Sequence, residues 1–397
     1  MRIGIVGCGF TADYYVQCMR MYPDLQVVAA TDKEPQRVAE FCRFNSIEPR
    51  PDLDSLLGDP GIEMILNLTS SSSHYKVSKR CLEAGKHLFT EKPLATSFAE
   101  AKELVELAEA KGLGFASAPA FLLSETAQTL WRALSNNTIG PVHVVLADLA
   151  DGPFHLAMPH TWRSPSGALY DYQEEFKVGV SIEHASYYLG SLVAFFGPAK
   201  SVTSFSTCLW PEKPISPEET LHVTSPDFSV ACITFESGVV ARLTCSLVSP
   251  FNHIMKIVGE TGVLSINDSW NFNSPVYHDR YSQLQFKADR YPITKEFPTI
   301  RNWTDLHKRK HAPVRNVNLY KQYTRYRMDY ARGVAELARS INEKRRCRLP
   351  ADYCLHVNEL LLAIHKGGGT PYEVTTTFEP LQPMSDAEIK ALIPAKW

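Results

Sequence analysis

The residues with the clearest chemical capability come early. Gly7-Cys8-Gly9-Phe10-Thr11-Ala12 follows a short apolar run at residues 2–6 and leads into a helical stretch at 13–21. In this G-x-G-x-x-A spacing Gly7 permits a tight turn. Gly9 has no Cβ and lets the backbone approach a pyrophosphate, and the small Ala12 lets the helix pack close to the strand. The helix start, with Phe10 and Thr11, presents free N–H groups and a partial positive charge to phosphates. An acid, Asp32, ends the next apolar run, Val-Val-Ala-Ala-Thr. That position suits hydrogen bonds from an adenosine ribose. At ~4 Å and an effective dielectric near 20, repulsion of a 2′-phosphate is on the order of 4 kcal/mol, which favours NAD over NADP. Lys33 and Arg37 lie close by in the chain and soften that preference.

These groups need a scaffold, and the surrounding pattern predicts one. Apolar runs at 2–6, 25–31, 64–68, 87–90 and 115–118 alternate with amphipathic stretches. The clearest of these is 97–111, where Leu104, Val105, Leu107 and Ala108 form a stripe and Gly112 stands at the C-cap. Strands alternating with helices imply βαβ units and a parallel sheet. After Pro119 the texture changes. Residues 142–147, 201–206, 228–235, 239–246 and 255–258 alternate apolar with polar, as in an antiparallel or mixed sheet, and helical stretches fall at 181–196 and 327–344. The expected fold is α/β, with an N-terminal Rossmann domain at 1–120 and a C-terminal α/β domain at 121–397 bearing an open, mainly antiparallel sheet. Residues 266–316 read as long loops that cover a site.

Composition narrows the function classes. The chain has 397 residues, 44% hydrophobic and 21% charged, with a formal net charge of −2. Near neutrality speaks against a broad nucleic-acid surface or a polybasic membrane anchor. No apolar run approaches the roughly 20 residues of a membrane helix. The N-terminus lacks a signal-peptide pattern. Nine scattered cysteines without a Cys-x-x-Cys pair argue against a disulfide framework or a Cys-type zinc site, so the expectation is a cytoplasmic protein with reduced thiols and no metal.

At Glu91-Lys92-Pro93 a family comes into view. This triplet, preceded by Glu-Ala-Gly-Lys-His and followed by Leu-Ala, resembles the glucose–fructose oxidoreductase / inositol dehydrogenase / MocA family. Asn67-Leu68-Thr69 with His74 resembles the family's Thr-Pro-x-x-x-His segment, with Ser70 in place of proline. The turn Gly259-Glu260-Thr261-Gly262 and the stretch Asp329-Tyr330-Ala331-Arg332-Gly333 agree in style. The resemblance implies a nicotinamide cofactor and a carbohydrate or polyol substrate. It implies a second domain whose open sheet face often forms an oligomer interface, so a homodimer or homotetramer is expected. It also implies that Asn67, Thr69, His74, Glu91 and Lys92 line the cofactor, that Pro93 is cis, and that Lys92 bonds the reacting hydroxyl.

The family commonly carries Asp-x-x-x-His on a helix of the second domain. Counting back from Phe195-Phe196-Gly197-Pro198, this chain has Glu183 and Tyr187 at those positions, in Glu183-His184-Ala185-Ser186-Tyr187. The i, i+4 spacing puts Glu183 and Tyr187 on one face. Either Tyr187 exchanges the proton, with Lys92 lowering its pKa, or His184 is the base. His155, His160, Trp162 and Arg163 belong to a stretch that approaches the substrate in the resembling family, and Trp162 offers a face to a sugar. The basic segment 301–311 suits an anionic substrate group.

The expected activity is an NAD-dependent oxidoreductase acting on a small-molecule carbohydrate. Some members of the superfamily instead use NAD transiently and achieve net glycoside hydrolysis through oxidation, elimination, water addition and re-reduction. A non-enzymatic NAD sensor is the third reading.

Overall fold

Alternating apolar strands and amphipathic helices close into a parallel sheet at the start of the chain. The structure, a computed structural model, describes residues 1–281, 296, 308–313 and 328–392. The strands are β1 (Arg2–Val6), β2 (Gln26–Thr31), β3 (Glu48–Pro49), β4 (Met64–Asn67), β5 (His87–Thr90) and β6 (Phe115–Ser117), in the order β3-β2-β1-β4-β5-β6. Every neighbouring pair is parallel. Ile3, Ile5, Leu66 and Phe89 are fully buried, as in a sheet covered on both faces. Strand order reverses beside β1, which opens a crevice at the carboxyl ends of β1 and β4. The helix expected at 97–111 is Phe98–Ala110, with Ala101, Leu104, Val105 and Ala108 buried. It ends where Gly112 takes a left-handed φ of 63°.

The second sheet contains β7 (Val142–Ala150), β8 (Ala199–Thr207), β11 (Phe228–Phe235), β12 (Val240–Ser246), β13 (Met255–Gly259), β14 (Gly262–Ile266), β15 (Tyr277–Arg280), β16 (Lys308–Lys310) and β17 (Tyr372–Glu373). A separate hairpin joins β9 (Glu212–Ser216) to β10 (Glu219–His222). The nine strands are antiparallel except β7 beside β12. One face buries Val145, Ala147, Leu149, Ala231, Ile233, Ala241 and Leu243. The other leaves Leu146, Phe205 and Val240 exposed. No helix among the described residues is long and apolar enough to cross a membrane.

Two features depart from the sequence pattern. The stretch 266–316, read as loops, supplies β15, which pairs with β14, and the edge strand β16 beside it. Residues 301–307 of the basic segment lie outside the described residues. The helix Ala351–Lys366 has no counterpart in the sequence reading. Residues around its whole circumference are buried, among them Tyr353, Leu355, Val357, Leu360 and Ile364, so it lacks the one-sided stripe that marks a surface helix. It packs on β8 and also on Phe98–Ala110 of the first domain. Asn358 on this helix accepts the Leu94 N–H at 3.0 Å and donates to the Ala95 carbonyl at 3.1 Å, so it holds the segment that follows Lys92 and Pro93.

A buried charge network adds a second tie. Arg332 Nη1 donates to Glu125 at 2.8 Å and Nε to Asp329 at 3.2 Å, while Tyr22 donates its hydroxyl to Asp329. The Asp329 carboxylate also accepts the Ala331 N–H at 3.1 Å, and the late helix consequently starts at Arg332 rather than 327. Removing one partner of a buried charge is costly even where the intact pair is close to neutral. Glu125→Ala is therefore expected to lower the unfolding free energy by about 3 kcal/mol. Urea denaturation measures this, and a change under about 1 kcal/mol would show that the network does not hold the domains.

Candidate active site

Gly7 takes φ +97°, and a Cβ there would lie 2.5 Å from the Leu68 carbonyl oxygen. A Cβ on Gly9 would meet no atom within 4 Å, so that side of the turn is open to a ligand. The following helix, Phe10–Met19, has no side-chain N-cap. Ala12 is fully buried against the sheet. This cradle fits a dinucleotide pyrophosphate. Asp32 braces it by accepting the Cys8 N–H at 2.7 Å and the Glu34 N–H at 3.0 Å. Arg37 stands 3.5 Å from the same carboxylate, and Lys33 is exposed.

The ends of β4 and β5 complete the crevice. Asn67 donates to Ser78 Oγ at 3.0 Å and to the His74 carbonyl at 3.2 Å, and accepts from Thr69 Oγ1 at 2.7 Å. His74 places Nδ1 2.7 Å from the Pro93 carbonyl oxygen and Nε2 2.9 Å from that of Thr69. Its ring is a strut between the two loops, with both nitrogens engaged by protein. Burial holds its pKa down, against the pull of the two carbonyls. Glu91 accepts the Tyr15 hydroxyl at 2.6 Å and the Lys92 N–H at 3.0 Å. The Lys92–Pro93 peptide is cis.

Lys92 pairs with Glu183 across the domains, and their side chains are only 14% and 13% exposed. The helices Val180–His184 and Ser186–Phe196 meet at Ala185, which keeps right-handed helical angles (φ −59°, ψ −34°) and donates its N–H to the Ser181 carbonyl at 3.0 Å. Glu183 and Tyr187 thus remain one turn apart. Burial alone would lower the Lys92 pKa, but Glu183, Glu175 and Glu91 outweigh it and keep the ammonium charged. Tyr187 is pushed well above the usual phenol value by burial and by Glu91, Glu183, Glu175 and Asp151. The expected lowering of Tyr187 by Lys92 is therefore corrected, because burial penalises the phenolate and four carboxylates add to that penalty.

His184 faces a different set of groups. Its Nε2 lies 3.0 Å from Asp151 and 3.3 Å from Glu175. Asp151 also reaches His253 Nε2 at 2.7 Å, and His253 Nδ1 lies 3.4 Å from Asp268. Asp151, Glu175 and His253 are absent from the sequence reading. The only signal for Asp151 was an acid directly after an apolar strand, and the other two carried none. Trp270 packs against Tyr187, His184 and His253.

An aromatic wall runs from the glycine turn outward. Phe10 meets Tyr170 at 5.2 Å between ring centres, and Tyr170 meets Trp162 at 5.4 Å. Asp13, buried in the first helix, accepts the hydroxyl of Ser164 and the N–H of Ser166 at 2.8 Å, and so fastens this segment over the turn. Arg163 is exposed and donates to the Gly167 carbonyl. His155 is buried against Trp210 and Phe176. His160 is half-buried in the short turn before Trp162.

Fold and site define a nicotinamide-dependent oxidoreductase. Residues 1–117 match the model of an oxidoreductase family with an NAD-binding Rossmann fold, and residues 127–265 match the GFO/IDH/MocA C-terminal domain. The chain belongs to this family. It is 28% identical over 272 residues to trans-1,2-dihydrobenzene-1,2-diol dehydrogenase of Bos taurus, which covers 68% of this chain and 74% of that protein. It is 27% identical over 146 residues to myo-inositol 2-dehydrogenase of Thermotoga maritima, covering 36% and 44%. An oxidoreductase from Agrobacterium radiobacter, solved with NAD+, L-tartaric acid and magnesium, shares the fold with a TM-score of 0.71 at 13% identity, covering 94% and 98%. The WlbA dehydrogenase from Bordetella pertussis, solved with NADH and UDP-GlcNAcA, gives 0.70 at 17% identity, also covering 94% and 98%.

The His253 environment has a consequence for stability. Burial lowers its pKa, but the bonds to Asp151 and Asp268 outweigh this and raise it from 6.5 to about 8. A raised folded-state value stabilises the fold fully below about 6.5, and that share is lost as pH rises through about 8. At about 1.4 kcal/mol per pH unit the contribution is about 2 kcal/mol. Urea unfolding of wild type and His253→Gln on both sides of that window is expected to show the wild-type advantage shrinking by this amount toward high pH. A pH-independent difference would refute it.

Proposed function

We propose that the protein transfers hydride between NAD and a hydroxyl-bearing carbon of a sugar, sugar derivative or polyol. The observation that carries this reading is the buried Lys92–Glu183 pair with Tyr187 one turn away, beside the carboxyl ends of the Rossmann strands. NAD supplies the hydride acceptor or donor when bound. The Gly7–Ala12 turn holds its pyrophosphate, and Asp32 disfavours a 2′-phosphate. Glu183 fixes the Lys92 ammonium, which stabilises negative charge on the substrate oxygen. Tyr187, kept protonated by burial and its carboxylate neighbours, gives that oxygen a proton in reduction and is left as phenolate, and in oxidation the phenolate oxygen takes the hydroxyl proton back. Asn67, Thr69, His74 and Glu91 shape the loops around the cofactor. Trp162 and its aromatic neighbours offer a face to a sugar ring. The names of the two relatives, a vicinal diol dehydrogenase and an inositol dehydrogenase, support a hydroxyl-rich ring as substrate.

The test is a panel of sugars, polyols and aryl glycosides, anionic ones included, incubated with NAD or NADP while NADH and free aglycone are followed. Net NADH is expected with NAD, and Tyr187→Phe and Lys92→Met are expected to reduce kcat/KM by about 10²- to 10⁴-fold. Aglycone release that needs NAD without net NADH would replace this reading with glycoside hydrolysis. Tight NAD binding without turnover would replace it with a sensor.

The same reading includes self-association. Leu146, Phe205 and Val240 stand exposed on the outer sheet face, and such a face needs a partner. Sedimentation is expected to give a homodimer or homotetramer, and Phe205→Glu to shift it toward monomer. A monomeric wild type would rule this out. The nine unpaired cysteines, six of them buried, support a reducing cytoplasm.

A further inference from the structure

A dinucleotide lying in the Rossmann crevice must enter and leave past whatever spans it, and two bridges do. Lys92 and Glu183 join the domains at the strand ends. Asp13 joins them again beside the glycine turn, where it holds Ser164 and Ser166. We propose that Asp13 clips a hairpin of the second domain across the pyrophosphate end of the crevice, and that opening of this clip sets the rates at which the coenzyme enters and leaves. Asp13 is then a positioning residue that acts through the hairpin. The proposal rests on the dinucleotide reading of the turn and needs no assignment of the substrate.

Residues 162–170 build the hairpin. Tyr170 donates its N–H to the Trp162 carbonyl at 3.0 Å, Ser164 donates to that of Ala168 at 2.9 Å, and Gly167 to that of Ser164 at 2.9 Å. Arg163 and Leu169 face each other as an antiparallel bridge. Gly167 takes the left-handed φ of 97° that closes the tip. The tip meets the first domain at Asp13. One oxygen of that carboxylate accepts the Ser164 hydroxyl and, at 2.8 Å, the Ser166 N–H. The other accepts Asn45 Nδ2 at 2.8 Å. Asn45 ends the helix Pro35–Asn45, so the anchor is itself fixed within the Rossmann domain. Three residues back on the same helix face, Phe10 of the glycine motif packs on Tyr170 at the base of the hairpin, 5.2 Å between ring centres. Both contacts fall on the first turn of the helix whose N-terminus serves the pyrophosphate.

Asp13 is fully buried. Among the described residues its carboxylate is held by three hydrogen bonds, two of them from the hairpin. An acid in the first turn competes with a pyrophosphate for the positive end of the helix, so its charge does not draw the coenzyme in. What it supplies is attachment, through charge-assisted bonds that are stronger than neutral ones. The rest of the hairpin is lightly held. Arg163, Pro165 and Leu169 are exposed, and a segment with few buried apolar contacts opens without global unfolding. Its base is anchored in its own domain, where Tyr170 donates its hydroxyl to Glu175 and Trp162 packs on Phe154 at 6.2 Å. Opening therefore breaks the two tip bonds and returns the Asp13 carboxylate to water. Asn358 and the Arg332 network tie the domains independently of the clip, so it opens without separating them.

Stopped-flow fluorescence of NADH, mixed with the protein or chased from it by excess NAD, measures entry and release. Asp13→Ala and Ser164→Ala are expected to speed release by about 10- to 100-fold, the range that one hydrogen bond to a charged group converts to. The double variant is expected to match Asp13→Ala, because both changes remove the same contact. A strap hinders entry and exit alike, so entry is expected to quicken as well and the dissociation constant to move less than the release rate. A merely damaged turn would release NADH faster without admitting it faster. The clip is also read without coenzyme. Hydrogen exchange at the Ser166 amide, followed by mass spectrometry of the peptide that contains it, is expected to quicken about 10-fold in Asp13→Ala. Wild-type release and exchange in that variant, or faster release with unchanged entry, would overturn the proposal. Ser164→Ala leaves the Rossmann domain untouched and decides the matter by the same two rates if Asp13→Ala fails to fold. None of these rates depends on turnover, so a silent substrate panel counts against the hydride-transfer reading alone.

Discussion

The ion pair between Lys92 and Glu183 sets the requirements for the rest of the molecule. The ammonium comes from the end of a Rossmann strand and the carboxylate from a helix ninety residues further on. Both are largely withdrawn from water, and a pair in that setting adds little to stability for its desolvation cost. Its value lies in position. It holds a permanent positive charge at the crevice mouth, where an oxyanion gains most from a charge that needs no reorganisation. Such a pair survives only if two domains are held at fixed separation. The Asn358 bonds to Leu94 and Ala95, the Arg332 network with Glu125 and Asp329, and the Asp13 bonds to Ser164 and Ser166 all serve that end.

The electrostatics around this pair are unusually acidic. Glu91, Glu175, Glu183 and Asp151 all act on Tyr187, with the Lys92 ammonium paired to Glu183 beside them. A histidine in place of Tyr187 would be drawn toward its cationic form by such a field, whereas a phenol stays neutral and keeps its proton. The exchange of His for Tyr relative to the family's common pattern is thus matched by the charges around it. His184, one residue from Glu183, is turned to a second acid pair and does not duplicate Tyr187. His184 is bonded to Asp151 and Glu175, whose charges also act on Tyr187, so the two groups share one acidic environment while differing in direct partners.

Much of the first domain was legible because its physics is local. Alternating periods located β1, β4, β5 and the helix Phe98–Ala110 to within a residue or two. The glycine turn announced itself through requirements that few other residues meet, and the clash a Cβ on Gly7 would make with Leu68 shows why. The second domain was legible as a class of sheet. Its order, with β7 parallel to β12 amid antiparallel neighbours, was not, because register and pairing across a hundred residues leave no trace in local alternation. Ala351–Lys366 escaped notice because a helix buried all round has no polar face to give the period away.

The candidate site divides along the same line. Sequence alone determined the dinucleotide turn, the acid at the end of β2, the Glu-Lys-Pro triplet and the one-turn spacing of Glu183 and Tyr187. Each is a short-range pattern whose meaning follows from backbone geometry or from family likeness. Only the tertiary structure decided that Lys92 spends its charge on Glu183, that His74 and Asn67 brace loops, and that Tyr187 is driven up rather than down. It alone assembled Glu175, Asp151, His253 and Asp268 into one chain. Those outcomes depend on which charges lie within a few ångströms after folding and how much water is excluded between them. Coulomb energy and desolvation are functions of distance and burial, and neither is written in the order of residues along the chain.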